Sequence, residues 1–277
     1  MNAVESGATI DGLLRESGLP RSESESLLRI LLGCERAHLI AHGEDTVDSS
    51  VAKTAQVWFA RRRSGEPVSY ITGRREFYGV GLRVTPDVLI PRPETERLVE
   101  LALERLPMGS QGRVLDLGTG SGAIAVALAS ERPALRITAT DSSELALAVA
   151  RRNARDHGAE IEFVLSDWFA ALGPELFDLI VSNPPYVAAN DVHLQLGDLR
   201  FEPRLALVGG KDGLDCIRRI ATQARERLRT GGRLLLEHGY DQGDRCVGLL
   251  RALGYGEIED HRDIAGWPRT CACIWLG

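Results

Sequence analysis

The chain has 277 residues, 44% of them hydrophobic, and a net charge of −6, which provides for one large domain and a small one around a substantial core. The mild acidic excess argues against wrapping a nucleic-acid backbone and favours a protein or small-molecule partner. A polar, acidic start without a basic and apolar leader, and the lack of any apolar run of membrane-spanning length, predict a cytoplasmic protein with no membrane segment. The 5 cysteines (Cys34, Cys216, Cys246, Cys271 and Cys273) form no C-x-x-C and the 6 histidines no H-E-x-x-H, so neither a disulfide framework nor a metal is expected.

Along the chain, Ile10, Leu13 and Leu14, then Leu27, Leu28, Leu31 and Leu32, then Val51, Ala55, Trp58 and Phe59 recur at near-helical spacing and predict a small bundle of amphipathic helices. Ser22 with Glu25 reads as a capping box and Gly33 as a helix stop. Arg61, Arg62 and Arg63 read as a solvated last turn that complements the helix dipole. Gly65, Glu66 and Pro67 break the bundle. From Val68 to Ile90, the β-favouring Tyr70, Ile71, Phe77, Tyr78, Val80, Leu82 and Val84, interrupted by Gly73, Gly79 and Gly81, predict a hairpin joining two domains. The expected division is therefore residues 1–67, a linker at 68–90, and a larger domain at 91–277. Pro93 fits a first helical turn, with Glu94 and Glu96 complementing the positive end of a helix that continues through Leu98, Leu101, Ala102 and Leu106.

Beyond Arg113, strand and helix signals alternate: strands at 114–117, 136–140, 161–165, 177–182 and 233–237, helices at 123–130, 144–156 and 214–228 and up to Leu253, and β segments near 255–259 and 271–276. Such alternation implies a doubly wound α/β sheet whose ligand sits outside the carboxyl ends of the strands at the topological switch. Two stretches fall at such ends. Gly118, Thr119, Gly120, Ser121 and Gly122 follow the first of these strands, and glycines there let the backbone turn tightly against a ligand. Asp141 ends the next strand as an acceptor for a ribose diol, which suits either NAD or S-adenosylmethionine.

Asn183, Pro184, Pro185 and Tyr186 separate those two cofactors. The prolines forbid a helix and leave carbonyls free beside the Asn183 oxygen and the Tyr186 ring. Acceptors beside a flat ring suit a planar group bearing an NH2, which a methyltransferase must hold against a sulfonium methyl and a dinucleotide enzyme has no use for. Asn183 and Pro184 are then the candidate catalytic acceptors, with Tyr186 beside them and Asn183 to Tyr186 as the substrate loop.

Taken together with Arg62 to Pro67, Leu89 to Glu96, Ser166 to Phe169, Arg200 to Pro203 and Leu234 to Gly239, these motifs show that the chain resembles the HemK-type peptide chain release factor N5-glutamine methyltransferases over nearly its whole length. The resemblance implies a class I S-adenosylmethionine-dependent methyltransferase, a Rossmann-like doubly wound sheet with an N-terminal helical release-factor-binding domain. It implies S-adenosylmethionine held by Gly118, Thr119, Gly120, Ser121, Gly122, Asp141, Trp168 and Asn183, and class I peptide chain release factors as the protein substrate of a monomeric enzyme. Trp267 stands where many relatives would carry arginine or asparagine. Glu202 and Glu237 are nearby carboxylates for which a solvated or capping role is the plainer expectation. Two rivals stay open at this level: an N-methyltransferase acting on adenine or guanine, and a helical adaptor with a vestigial nucleotide fold.

Overall fold

The computed structural model describes residues 8–277. Residues 1–7, on which the reading of the chain's start rests, lie outside the described residues. The chain forms two compact units, one running to Gly73 and taking back Gly197–Phe201, the other comprising Arg74–Leu196 and Glu202–Gly277.

The first unit is helical: α1 (Ile10–Glu16), α2 (Arg21–Leu32), α3 (Arg36–Ala41), α4 (Ser49–Arg63) and α5 (Val68–Thr72). Ile10, Leu13, Leu14, Leu27, Leu28, Leu39, Ala55, Phe59 and Ile71 close on one core. Thr9 caps α1 by accepting from Gly12 N–H at 3.1 Å, Asp48 caps α4 through Ser50 N–H at 2.7 Å, and Gly33 ends α2 at a φ of 63°. Ser22 and Glu25 do not form a capping box: α2 starts after Pro20, Ser22 lies inside the helix, and the two Glu25 oxygens are taken by Arg21 and Arg36. The arginine run is not a solvated turn either. Arg61 pairs with Glu66, Arg62 with Glu23 and Asp198, and Arg63 donates to the Ser17 carbonyl at 2.5 Å.

Val68–Thr72 is a helix where the residue types predict strand. Pro67 starts the turn, its carbonyl accepting from Tyr70 and Ile71, and Gly73 stops it at a φ of 70°. Val68 and Ile71, three apart, both meet the helical core, so packing decides over β-propensity.

The second unit opens with a hairpin, β1 (Arg74–Phe77) and β2 (Val80–Arg83), turned by Tyr78 and Gly79 with φ of 49° and 72°, the positive pair a tight hairpin needs. A 3-10 turn at Pro93–Thr95 leads into α6 (Glu96–Arg105). Then follow β3 (Arg113–Leu117), α7 (Ala123–Glu131), β4 (Arg136–Asp141), α8 (Glu144–Asp156), β5 (Ile161–Leu165), β6 (Phe177–Ser182), α9 (Arg204–Leu207), α10 (Asp215–Ala224), β7 (Leu228–Glu237), α11 (Gly243–Ala252), β8 (Tyr255–Arg262) and β9 (Pro268–Trp275).

The sheet runs β5-β4-β3-β6-β7-β9-β8, parallel except where β9 inserts antiparallel to both β7 and β8. Period-2 alternation sorts its side chains: Val114, Leu179, Val181 and Leu235 pack under α6 and α7, whereas Leu115, Leu117, Ile180, Leu234 and Leu236 pack under α10 and α11. From β3 the chain winds outward through β4 and β5, then returns to β6 on the other side of β3. That reversal leaves a crevice above the carboxyl ends of β3 and β6. Among the described residues no helix is long and apolar enough to cross a membrane.

Candidate active site

The crevice is a cavity of about 230 Å³. Gly118 and Gly120 reach it from the end of β3, Asp141 from β4, Trp168 from the turn after β5, and Asn183 and Pro185 from β6, while Val88, Leu89, Leu205, Ala206 and Val208 supply apolar walls.

The glycine loop is built to let something approach. Gly118 has a φ of 69°, which a side chain would strain, and a Cβ there would lie in van der Waals contact, 3.4 Å from the Trp168 ring, so the turn itself calls for glycine and sets the backbone against the indole. Trp168 itself is held at a φ of 55°, a conformation that costs a bulky residue energy and persists where the surroundings impose it. Gly122 serves packing instead: a Cβ there would stand 3.1 Å from the Ala150 Cβ and 3.3 Å from its Cα, so the bare backbone leaves room for α8.

Asp141 is a brace as well as a wall. Its two oxygens accept N–H bonds from Gly120 and Ser143, each at 2.9 Å, and burial pushes its pKa up while those N–H groups pull it back. Each oxygen keeps a lone pair for a ligand hydroxyl. Beneath the loop, burial holds the Asp116 carboxyl at about 7 against the Thr119 hydroxyl, which donates to it at 2.6 Å. Thr119 and Ser121 are thus buried supports that do not line the cavity: Thr119 serves Asp116, and the Ser121 carbonyl accepts from Asn153 at 2.8 Å.

At the end of β6, Asn183 Nδ2 donates to Thr95 Oγ1 at 2.9 Å, which leaves Oδ1 for the cavity side. Among the described residues nothing donates to the carbonyls of Asn183 or Pro184. Pro184 and Tyr186 stand off the cavity wall. The Tyr186 ring packs into the sheet's second apolar layer, its phenol donates to Glu237 Oε1 at 3.2 Å, and its carbonyl accepts from Gln242 Nε2 at 2.9 Å. Burial raises the phenol's pKa, so Tyr186 stays a donor.

Glu202 and Glu237, expected to be solvated or capping, are both buried, at 5% and 0% exposure. Glu202 accepts from Ile90 N–H at 3.3 Å and pairs with Arg92. Burial lifts Glu237 to about 7, with the Thr95 and Tyr186 hydroxyls pulling the other way. Thr95 was not legible as a site residue, although it lies in the Leu89 to Glu96 segment. Nor could spacing show that His238, Asp260 and Cys271 bring ligand atoms within 4.8 Å of one another. The His238 ring is already committed there, Nδ1 to the Gly239 carbonyl and Nε2 to Asp260.

A glycine cradle, an indole face, a carboxylate with spare lone pairs and free acceptors suit a nucleoside cofactor that carries a ribose diol. Residues 96–201 match the family described as Methyltransferase small domain, and residues 10–73 match the PrmC N-terminal domain. The release factor glutamine methyltransferase of Bordetella pertussis is 50% identical over 93% of this chain and 96% of its own, and that of Neisseria gonorrhoeae 49% identical over 95% and 96%. Among solved structures, a methyltransferase from Pyrococcus furiosus shares the fold with a TM-score of 0.55 at 20% identity, covering 78% of this chain and 96% of that one.

Proposed function

The chain belongs to the release factor glutamine methyltransferases, and from that membership we propose how its residues divide the work. It is an S-adenosylmethionine-dependent protein-glutamine methyltransferase acting on release factors. We assign its target as the side-chain amide nitrogen of the Gly-Gly-Gln glutamine in class I factors, modified by a monomer in the cytoplasm.

The observation that carries the assignment is the convergence of Gly118, Gly120, Asp141, Trp168 and Asn183 on one cavity at the strand reversal. S-adenosylmethionine, when bound, supplies an electrophilic methyl on a sulfonium. Asp141 takes the ribose diol, Trp168 packs on the adenine, and the Gly118 to Gly122 turn admits the rest at backbone distance.

An amide nitrogen is a poor nucleophile because its lone pair is delocalised into the carbonyl. Asn183 Oδ1 and the Pro184 carbonyl accept its two N–H groups, and so hold the nitrogen rotated out of conjugation with the lone pair directed at the methyl. Two well-placed acceptors also favour the positive charge that builds on nitrogen during attack, so orientation and electrostatics suffice without a strong base at the nitrogen. Pro185 walls the cavity, while the Tyr186 ring, packed into the apolar layer behind it and tied to Glu237, holds the loop that carries the two acceptors.

The helical unit contains none of the residues that line the cavity, and we assign it to docking the release factor. The acidic balance of the chain favours this protein substrate over a nucleobase. Mass spectrometry of a purified release factor after incubation with the protein and S-adenosylmethionine is the test: one added methyl on the Gly-Gly-Gln glutamine is expected. Methylation of a nucleic acid, or none anywhere, would remove the assignment. Asn183→Ala should slow turnover by roughly 10²- to 10³-fold, as loss of one group that bonds the transition state does.

A further inference from the structure

Two apolar walls of the cavity come from distant parts of the chain, and one carboxyl joins them. Val88 and Leu89 form one wall, ahead of α6; Leu205, Ala206 and Val208, on and beside α9, form the other. Glu202 lies just before the second wall and reaches the residues that follow the first. Its Oε1 accepts from Ile90 N–H at 3.3 Å, and its Oε2 pairs with Arg92. The Glu202 side chain has no exposure and that of Arg92 28%. Neither residue lines the cavity.

Each wall has a second anchor of its own. Val187 N–H donates to the Leu207 carbonyl and Gly209 N–H to the Val187 carbonyl, each at 2.9 Å, which joins the α9 wall to the continuation of the Asn-Pro-Pro-Tyr loop. Arg75 Nε, from β1, donates to the Pro91 carbonyl at 3.2 Å beside the other wall. These anchors hold the walls separately, whereas Glu202 fixes the spacing between them. A carboxylate out of water is tolerable only with its partners in place, so parting the walls would strand that charge.

We propose that Glu202 and Arg92 are positioning residues that clasp the two walls over the nucleoside of the cofactor, and so set how long the cofactor stays. This rests on the reading of the cavity as the S-adenosylmethionine site. Apolar walls grip a nucleoside by contact, and a gap of about 1 Å forfeits up to about half of a dispersion contact. The clasp sets the spacing before the ligand arrives, which spares binding the cost of ordering the walls. The catalytic acceptors Asn183 Oδ1 and the Pro184 carbonyl are no part of it, so the clasp acts on cofactor binding and leaves methyl transfer from the bound cofactor largely alone.

The experiment is release of labelled S-adenosylmethionine from the full chain, chased with unlabelled cofactor, beside steady-state methylation of a release factor. It compares wild type, Glu202→Gln, Arg92→Ala, Arg92→Lys and the Arg92→Ala/Glu202→Gln double variant, with denaturant unfolding of each unliganded protein. Glu202→Gln and Arg92→Ala should release the cofactor about 10- to 100-fold faster and raise its KM by a similar factor. At saturating cofactor, kcat should fall by less than about threefold, and the KM for the release factor should not move. Arg92→Lys should recover part of the loss, because an ammonium still meets the carboxylate. The double variant should release the cofactor no faster than the faster single one, because both substitutions break one pair. Wild-type release from folded Glu202→Gln and Arg92→Ala would overturn the proposal, even if both unfold earlier, since the pair would then serve stability alone. Losses that multiply in the double variant, or a fall in kcat at unchanged cofactor KM, would overturn it too. Should Glu202→Gln not fold, the two variants of the partly exposed Arg92 decide by themselves. A wild-type chain that binds no S-adenosylmethionine would sink the reading of the cavity and the clasp with it, whereas clasp variants that match a cofactor-binding wild type sink the clasp alone.

Discussion

Asp141 offers the sharpest separation of ligand binding from fold. Its carboxylate braces two N–H groups, Gly120 and Ser143, each at 2.9 Å, and lines the cavity where a ribose would lie. Asp141→Ala removes both functions. Hydrogen bonds to a charged acceptor contribute roughly 1.5 to 3 kcal/mol, so cofactor affinity should fall about 10- to 150-fold. The stranded N–H groups should cost the unliganded protein about 1 kcal/mol each. Asp141→Asn keeps one oxygen and should lie between wild type and alanine in both measurements. Calorimetric titration with S-adenosylmethionine and S-adenosylhomocysteine gives the first quantity, and denaturant unfolding of the unliganded protein the second. A folded alanine variant that binds within twofold of wild type would refute the ribose assignment. Stability lost at unchanged affinity would reduce Asp141 to a brace for the glycine loop.

Other perturbations test other parts of the molecule. Arg62 donates to both Glu23 oxygens, at 2.6 and 3.1 Å, to Asp198 at 3.2 Å and to the Glu66 carbonyl at 3.1 Å. Arg62→Ala should therefore cost on the order of 2 kcal/mol in urea unfolding, whereas a solvated arginine would cost almost nothing. For Asp116 the folded pKa of about 7 lies above the ordinary 3.8. Between those values the folded state holds a proton the unfolded chain has lost, so this group's contribution to stability is full at low pH and disappears as pH rises toward neutrality. Asp116→Asn, which does not titrate, should thus gain on wild type between about pH 5 and about pH 8; an equal difference at the two pH values would contradict the burial argument. Deleting residues 1–73 should spare cofactor binding but reduce methylation of an intact release factor far more than that of a short Gly-Gly-Gln peptide. Equal losses in a soluble truncation would argue against docking by the helical unit.

What the sequence determined by itself is what short windows encode. Period and turn chemistry marked the helices of the first unit, the alternation after Arg113, the glycine turn, and an Asn-Pro-Pro-Tyr loop whose prolines exclude helix and free carbonyls. Where several contacts compete for one residue, the local reading failed. Val68–Thr72 became helix because Val68 and Ile71 meet a helical core, and Glu25 left its capping role for two arginines. The Arg61 to Arg63 run became three tethers. Only the tertiary structure decided that β6 returns beside β3, and so that Gly118 and Asn183 share a cavity. Only it buried Glu237 beneath that cavity and set Thr95 against the Asn183 amide, a donor role that no reading of Asn183 as an acceptor contained. Strand order, register and burial are collective properties of the packed chain, and none of them can be read from a short window of residues.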